Sequence, residues 1–432
     1  MIDIGFVRAN PDLVIERSSL KGETVDIPKL LEFDAKRRDL QAQIDALRRQ
    51  RNELASAQAG QKPAPEIQTK GQQLKGDLAK KEAELKEVDS EYLKLLRAVP
   101  NMPLDDVPAG KSEAENVVAK TVGTPPDFDF APLAHQVIGE RLDIIDKERA
   151  AKISGSRFAY IKGDLARLQF ALINFVINSL SSREFIAQII KDNALDLPDK
   201  PFIPILPPAL LKTEPYEASA RLNAEELTYK IEQDDLWLNA SAEHTLCTMF
   251  MNEVLSEEEL PLRFIGYSTS FRREAGSYGK DVEGIIRMHQ FDKLEMEVFS
   301  NASSGLQEHK LLIAIQEYLV SSLGLPYQLI RKCTADIGKP NATGTDINTW
   351  FPSQKTYRET HTADYMTDYQ ARDLKIRTKK ADGRSELVHT NDATALALGR
   401  IMAAIIENYQ EKDGHFKVPS ILVPLMGGQS RI

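Results

Sequence analysis

The chain of 432 residues has only two cysteines, Cys247 and Cys333, and they stand far apart in the sequence. No CxxC pair and no cysteine–histidine ligand spacing occurs, so neither a disulfide framework nor a structural zinc site is expected. Free cysteine is among the most buried residue types. We therefore expect both cysteines to be buried, reduced thiols.

Three other features are missing. No apolar run approaches the ~20 residues that cross a bilayer, and the N-terminal MIDIGFVRANPD lacks the basic and apolar regions of a secretory signal, so we expect a cytoplasmic protein. The motifs GxGxxG, GxxxxGK[ST] and GxSxG are absent, which excludes the familiar phosphate loops and the nucleophile elbow. The net charge of −9 excludes a generally basic nucleic-acid binder, so any such role needs a local patch.

Residues 28–99 carry apolar side chains at alternating spacings of three and four, which indicates a heptad seam. The pattern stops near Gly60, Pro63 and Pro65 and then resumes, which predicts two helices joined by a break. Matched seams on either side of a short break are typical of an antiparallel helical hairpin. At ~1.5 Å per residue each helix would reach roughly 50 Å, so the hairpin would project as a coiled-coil arm.

The predicted arm is basic although the chain is acidic. Residues 36–81 contain eleven lysines and arginines against five acids. A cationic projecting arm suits the phosphate backbone of a nucleic acid. The pattern is equally consistent with a solvated coiled coil that dimerises.

The remaining chain mixes strand-like and helical patterns. After a Pro- and Gly-rich linker at 99–118, amphipathic helices are predicted at 132–150, 163–194 and 392–411. Strands are predicted at 202–206, 229–232, 262–267, 283–289 and 293–299. Because these patterns lack βαβ regularity, they favour an α+β fold with a central antiparallel β-sheet flanked by helices.

The stretch FRREAGS at 271–277 predicts an anion site. Arg272 and Glu274 are two residues apart, hence on the same face of a strand, and can bind a phosphate and an exocyclic amine. Phe291 could stack on the purine between them. Arg273 points to the opposite face. The alternative is a surface hairpin with cross-strand ion pairs, which contribute little to stability.

A second charged set lies nearer the C-terminus. Arg400 stands within an apolar helical pattern, and a buried arginine needs an anionic partner. Glu359 and Glu295 lie among apolar and aromatic residues and could hold a metal or an amine. Arginines with carboxylate-bound Mg²⁺ are the usual means of holding a triphosphate.

These stretches, taken in order, resemble one family over nearly the whole chain. The runs FRREAGSYGKDVEGIIRMHQFDKLE, YRETHTADYM and LALGRIMAAIIENYQ follow a long helical hairpin. The sequence resembles the bacterial type of seryl-tRNA synthetase, a class II aminoacyl-tRNA synthetase. The resemblance implies a tRNA-binding domain at 1–110 with its arm at 28–99, a catalytic domain at 111–432, and a homodimer with Pro207 or Pro208 at its interface.

The resemblance also implies roles for individual residues. Arg272, Arg400 and Glu359 would be catalytic, and Glu359 and Thr362 would bind Mg²⁺. ATP would contact Arg272, Arg273, Glu274, Arg287, Phe291, Glu359, Thr360, His361, Thr362 and Arg400. Serine would contact Ser241, Ala242, Glu243, Arg272, Glu295 and Thr394. The long variable arm of serine tRNA would contact Arg37, Arg38, Arg48, Arg49, Lys62, Lys70 and Lys75.

Some positions depart from the family pattern. Ser241 stands where the family usually has threonine, and the run at 392–395 is Asp-Ala-Thr-Ala instead of Asn-Gly-Ser-Gly. ETHTADY also replaces a serine-rich run. One methyl is lost at 241 and one is gained at 394, which keeps the pocket volume roughly constant, while Asp392 adds a negative charge. A single methylene discriminates between substrates by only ~1–3 kcal/mol.

The resemblance implies a serine–tRNA ligase that forms seryl-adenylate from L-serine and ATP and transfers the seryl group to tRNA. Family members commonly also charge selenocysteine tRNA. Two alternatives remain open. One is an amino-acid-activating paralogue, against which the basic hairpin argues. The other is a non-catalytic tRNA-binding or regulatory protein, against which the retained arginines and Glu359 argue.

Overall fold

The computed structural model describes residues 1–57, 65–222, 228–274, 284–380 and 382–432. Within them the chain forms two compact units, Met1–Met102 and Pro103–Ile432. Lys62, one of the expected tRNA contacts, lies outside the described residues.

The N-terminal unit is helical. Its elements are α1 (Ile4–Ala9), α2 (Pro11–Leu20), α3 (Ile27–Ala57) and α4 (Pro65–Ala98). The predicted pair of long helices is confirmed. Arg37 contacts Asp89 at 2.5 Å and Arg48 contacts Glu82 at 2.8 Å, so residue numbers rise along α3 as they fall along α4, and the two helices are antiparallel. Apolar seam residues lie buried between them, among them Leu40, Ile44, Leu74, Leu78 and Val88.

The second unit is α+β, as predicted. Its helices are α5 (His135–Arg141), α6 (Lys147–Ser154), α7 (Gly163–Leu180), α8 (Arg183–Asp192), α9 (Thr213–Ala218), α10 (Glu243–Leu246), α11 (Gly305–Ser322), α12 (Tyr369–Leu374) and α13 (Leu398–Asn408). Its strands are β1 (Val117–Val122), β2 (Ile145–Asp146), β3 (Tyr160–Ile161), β4 (Ile203–Ile205), β5 (Leu210–Lys212), β6 (Lys230–Ile231), β7 (Leu236–Leu238), β8 (Val254–Ser256), β9 (Leu262–Phe271), β10 (Gln290–Ser300), β11 (Tyr327–Arg331), β12 (Thr343–Phe351), β13 (Thr356–Thr367), β14 (Arg377–Lys379), β15 (Ser385–Leu387) and β16 (His389–Ala397).

The central sheet has the strand order β1-β11-β12-β13-β16-β10-β9-β4. Every neighbouring pair is antiparallel except β4 and β9 at one edge. One face of the sheet packs on helices. Leu294, Met296 and Val298 of β10 point into this core together with Ala393 and Ala395 of β16. Side chains alternate along a strand, so the intervening residues of β10 and β16 face the other way.

Several predicted elements have different boundaries. The single helix predicted at 132–150 is wrong, because Asp143 adopts a left-handed φ of 53° and Ile145–Asp146 pairs with β3 before α6 begins. The helix predicted at 163–194 is two helices, since Ser182 caps the second by accepting a hydrogen bond from the Phe185 N–H at 3.1 Å. The strand predictions at 202–206, 229–232, 262–267 and 293–299 are confirmed.

Two further predictions are wrong where they matter most for the site. Residues 392–397 belong to strand β16, and the helix starts only at Leu398. An apolar run of small residues fits a buried strand as well as a buried helix. Here the run forms a strand, because it pairs with β10 on one side and β13 on the other. The predicted strand at 283–289 is absent from residues 284–289, where Gly284 has a φ of 75°.

Both cysteines are free and buried, as expected. Within the described ranges, no helix combines the length and apolar character needed to span a bilayer. The core also holds the ion pair of Arg263 and Glu308, both fully buried, with nitrogen–oxygen distances of 2.9 Å on each arm of the fork. This bidentate pair joins β9 to α11.

Candidate active site

A cleft lies over the polar face of the central sheet. Strands β10, β13 and β16, the start of α13 and residues 285–288 supply most of its wall. Its lining includes ten of the residues expected to bind ATP, metal or serine: Glu243, Arg272, Glu274, Arg287, Phe291, Glu359, Thr360, Thr362, Thr394 and Arg400. Side chains that are more than 100 residues apart in sequence therefore meet at one site.

Arg272 is the cation in this cleft that has no carboxylate partner among the described residues. Its Nε donates a hydrogen bond to the Ala240 carbonyl at 3.0 Å, and its guanidinium lies over the Phe291 ring, 5.3 Å from the centroid. Strand β9 ends at Phe271, so the expectation that Arg272 and Glu274 share a strand face is wrong. Both still line the cleft, and Glu274 adopts a left-handed φ of 49°.

Two other arginines hold acids within the cleft. Arg287 lies 3.1 Å from Glu274, and Arg400 lies 2.9 Å from Glu359. Partial burial acts to raise the pKa of Glu359, but Arg400 and Lys332 outweigh it and keep that pKa below its usual value. The sequence analysis gave a surface hairpin with ion pairs as the alternative to an anion site. Such ion pairs exist, but they line a concave site instead of an exposed hairpin.

A β-bulge explains how Glu359 and Thr362 come to share one site. Residues three apart on a regular strand point to opposite faces. On β13 the register steps from His361 to Glu359 opposite β12, which leaves Thr360 as the extra residue. Thr360 bonds Thr349 through its hydroxyl at 2.7 Å and His361 at 2.9 Å. The bulge thus brings Glu359 and Thr362 to the same side.

The end of the cleft at Glu243 and Thr394 contains a charged cluster around Lys293, a residue that the sequence analysis missed. Lys293 lines the cleft, with its Nζ 2.5 Å from Glu295, 2.9 Å from the Ser241 hydroxyl and 3.8 Å from Glu243. Burial acts to lower the pKa of Lys293, but Glu243 and Glu295 outweigh it and raise that pKa. Lys293 stands two residues before Glu295. Because residues two apart share one face of a strand, this spacing could have identified Lys293 from the sequence.

Some expected contacts do not line the cleft. Arg273 packs over Tyr229, 5.7 Å from the ring centroid. His361 is buried on the far side of β13, and burial lowers its pKa to about 3. Ser241, Ala242 and Glu295 are buried behind the lining. Burial raises the pKa of Glu295 well above its usual range, although Lys293 acts to lower it.

Gly399 permits the close approach of α13 to residues 285–288. A Cβ built there would lie 2.6 Å from the Ile285 carbonyl oxygen, a backbone atom. We expect Gly399→Ala to lower the free energy of unfolding by ~1–3 kcal/mol, because overpacking forces the backbone to shift. Urea denaturation measures this change. The matched control is Gly76→Ala in α4, where the space is open and we expect ~0.5–1 kcal/mol of stabilisation. Equal effects of both variants would contradict this account.

Two family models match the chain. Residues 1–103 match the seryl-tRNA synthetase N-terminal domain, and residues 228–409 match the tRNA synthetase class II core domain of the G, H, P, S and T group. The sequence is 38% identical over 436 residues to the serine–tRNA ligase of Thermodesulfovibrio yellowstonii, covering 99% of both chains. The chain belongs to the seryl-tRNA synthetase family.

Other members of the seryl-tRNA synthetase family agree with this assignment. The serine–tRNA ligase of Nitrosopumilus maritimus is 34% identical and is matched over its full length. Among solved structures, the seryl-tRNA synthetase of Pyrococcus horikoshii complexed with ATP has a TM-score of 0.86 at 32% identity, covering 100% of this chain and 99% of that one. The cytoplasmic serine–tRNA ligase of Naegleria fowleri in complex with AMP has a TM-score of 0.79 at 25% identity, covering 99% and 96%.

Proposed function

We propose that this chain activates L-serine with ATP and transfers the seryl group to the 3′ end of serine tRNA. The observation that carries the proposal is the convergence of Arg272, Arg287 and Arg400 with Phe291 on one cleft, whose far end holds Glu243 and Thr394. A triphosphate, an adenine ring and a small amino acid would each find a matching part of this site.

The nucleotide end can bind ATP through the following contacts. The fork of Arg272 has no carboxylate partner among the described residues and would bind the α-phosphate, and the Phe291 ring beneath it offers a face for adenine. Glu274 accepts hydrogen bonds and would take the adenine amino group. Arg287 and Arg400 would bind the outer phosphates, each exchanging the carboxylate that it now contacts for a phosphate oxygen.

Glu359 and Thr362 offer hard oxygen donors on the same side of β13. Mg²⁺ prefers such donors and is usually held by one or two carboxylates together with substrate phosphates. These two residues would hold it, and the ion would neutralise charge on the phosphates. Among the described residues no group of three or more His, Cys, Asp or Glu has the geometry of a metal site.

The reaction then needs positioning and charge stabilisation. The serine carboxylate, held near Arg272, attacks the α-phosphorus in line, and pyrophosphate leaves as negative charge builds on the phosphate oxygens. Glu243 would accept hydrogen bonds from the serine ammonium, since burial acts to raise its pKa but Lys293, His244 and Arg221 outweigh burial and lower it. A ribose hydroxyl of tRNA then takes the seryl group.

The basic arm would bind the variable arm of serine tRNA. Arg37, Arg38 and Arg48 already pair with acids of the arm, namely Asp89, Asp34 and Glu82. Arg49, Lys70 and Lys75 are exposed and form no ion pair with another described residue. We therefore assign phosphate contacts to Arg49, Lys70 and Lys75, and a role in holding the two helices together to Arg37 and Arg48, whereas the partner of Arg38 lies on the same helix. A homodimer, charging of selenocysteine tRNA and a cytoplasmic location belong to the same proposal.

Serine-dependent ATP–pyrophosphate exchange, followed by charging of serine tRNA, tests the proposed function. We expect both activities with serine, and only exchange when the tRNA lacks its variable arm. Exchange without any charging would favour an amino-acid-activating paralogue. Absence of both activities in a folded protein would favour the non-catalytic alternative.

We expect Glu359→Gln to reduce the effect of Mg²⁺ on ATP binding without weakening the binding of metal-free ATP. The variant removes a carboxylate that would hold Mg²⁺ and also frees Arg400, so metal-free ATP should bind at least as tightly as before. The tightening of ATP binding by Mg²⁺ should fall at least about tenfold, since altering even an outer-shell partner of a metal ligand typically costs 10–100-fold. Calorimetric titration with and without Mg²⁺ measures both quantities, and Glu386→Gln, outside the cleft, is the control. An unchanged Mg²⁺ effect would remove Glu359 from the metal site.

A further inference from the structure

Arg221 lines the cleft although it belongs to none of the strands of the central sheet. It follows α9 and its guanidinium contacts the carboxyl group of Asp392 on β16. It also lies 3.7 Å from the Met366 sulfur of β13. The side chain of Arg221 is 14% exposed and that of Asp392 is 3% exposed. Asp392 departs from the asparagine of the family pattern, and Arg221 offsets the charge that this departure adds.

The backbone before Arg221 is tied to the same strand as its guanidinium. The Ser219 carbonyl accepts a hydrogen bond from the Gln370 side chain at 3.0 Å, and Gln370 accepts one from the Thr390 hydroxyl at 2.7 Å. The Arg221 N–H donates to the Ser219 hydroxyl at 3.3 Å. Ser219, Gln370 and Thr390 are fully buried. Since Thr390 and Asp392 stand two apart on β16, the position of Arg221 is fixed relative to one face of that strand.

Arg221 lies beyond the position proposed for serine. Glu295 and Thr394 are opposite each other on β10 and β16. Asp392 stands two residues from Thr394, which is ~6–7 Å along β16 and away from the end of the cleft that holds Phe291. A substrate side chain longer than that of serine would therefore extend away from the α-phosphate and toward Arg221.

The contact between Arg221 and Asp392 resists displacement. Moving the arginine aside would leave buried polar groups of both residues without a partner, which is unfavourable whether or not the carboxyl group is ionised. Packed protein interiors also respond to the addition of a single methylene, because neighbouring side chains and backbone must shift. A longer substrate side chain would thus meet a fixed end to this part of the cleft.

We propose that Arg221 is a specificity-determining residue, which closes the serine end of the cleft and excludes side chains one methylene longer than that of serine. The exclusion is steric, because the stem and guanidinium of Arg221 fill the space and Asp392 holds them there. This inference rests on the proposed function, since it assigns the size limit of the site that would activate serine.

Competitive inhibition by homoserine measures this size limit. Homoserine has one methylene more than serine and keeps the hydroxyl and the α-ammonium groups. In serine-dependent ATP–pyrophosphate exchange by the full chain, we expect the Ki of homoserine to exceed the KM of serine at least tenfold. One methylene in a pocket typically discriminates by about 10–200-fold. A Ki within about threefold of the serine KM would overturn the inference without the need for any variant.

Two double variants separate size from charge. Arg221→Ala with Asp392→Asn removes both charged groups and opens the end of the cleft, so the ratio of homoserine Ki to serine KM should fall at least tenfold. Arg221→Met with Asp392→Asn removes the same charged groups but keeps an unbranched side chain in the space. Its ratio should stay within about threefold of that of the unmodified protein.

The outcomes distinguish this inference from the proposed function. An unchanged ratio in Arg221→Ala with Asp392→Asn, when circular dichroism shows a folded protein that retains exchange with serine, overturns the size limit and leaves the function in place. An equal fall of the ratio in both double variants overturns the steric account. Absence of serine-dependent exchange in the unmodified protein overturns the proposed function and the inference with it.

Discussion

Replacement of Arg272 by alanine should reduce serine-dependent ATP–pyrophosphate exchange by about 10³-fold or more. Its guanidinium has no carboxylate partner among the described residues, lies over Phe291 and would stabilise charge that develops on the α-phosphate. Loss of one charge-stabilising donor typically costs 10²–10³ in rate, and an arginine on a transferring phosphoryl group is worth about 10³–10⁵. Steady-state exchange assays with purified variants measure the effect.

The control for Arg272→Ala is Arg273→Ala, the neighbouring residue, which packs over Tyr229 and does not line the cleft. We expect its exchange rate to stay within about threefold of the unmodified protein, because it makes no contact in the cleft. Circular dichroism and urea denaturation show whether both variants are folded. Near-normal exchange in folded Arg272→Ala would refute the assignment of the α-phosphate site.

Removal of the distal arm should abolish tRNA charging and leave amino-acid activation intact. Replacing residues 49–81 by a short Gly-Ser connection shortens both helices to the level of the Arg48–Glu82 pair, which is 2.8 Å apart and would close the shortened hairpin. Exchange should stay within about twofold, while kcat/KM for charging should fall by about 10² or more, because the phosphate contacts are lost. Charging and exchange are measured on the same preparation.

Single substitutions refine the arm experiment. Each of Arg49→Ala, Lys70→Ala and Lys75→Ala should weaken tRNA binding for all serine tRNAs and lower the salt dependence of log K by about one. Arg37→Ala is the matched control, because Arg37 contacts Asp89 and lies 5.0 Å from the Tyr92 ring centroid. It should loosen the hairpin without that change in salt slope. Undiminished charging by the shortened protein would contradict a tRNA-binding arm.

The sequence predicted the arm well because its stability is local. A heptad seam interrupted by a Gly/Pro break predicts two helices from local pattern alone, and α3 and α4 match that prediction closely. The helix predicted at 392–411 failed for the opposite reason. Residues 392–397 pair with β10 and β13, which lie distant in sequence, and a run of Ala, Thr and Leu does not reveal those partners.

The candidate site likewise contains some residues that the sequence predicted and others that only the folded chain reveals. Arg272, Phe291, Glu359 and Arg400 stand in runs that resemble one family, and they meet in one cleft. Arg221 and Lys332 carry no local signal, because the ion pairs they form with Asp392 and Asp346 arise only in the folded chain. The joint position of Glu359 and Thr362 also needs the bulge at Thr360, which no alternation pattern predicts.

The paired arginines of the cleft give the resting protein a form of selectivity. Glu274 and Glu359 occupy Arg287 and Arg400 in the way that phosphate oxygens would. A single inorganic anion would bind weakly to either arginine, because it must displace a carboxylate that belongs to the same chain. On the proposed function, a nucleotide with its bound metal ion would displace both carboxylates at once, so the site would favour ligands that carry several anionic groups.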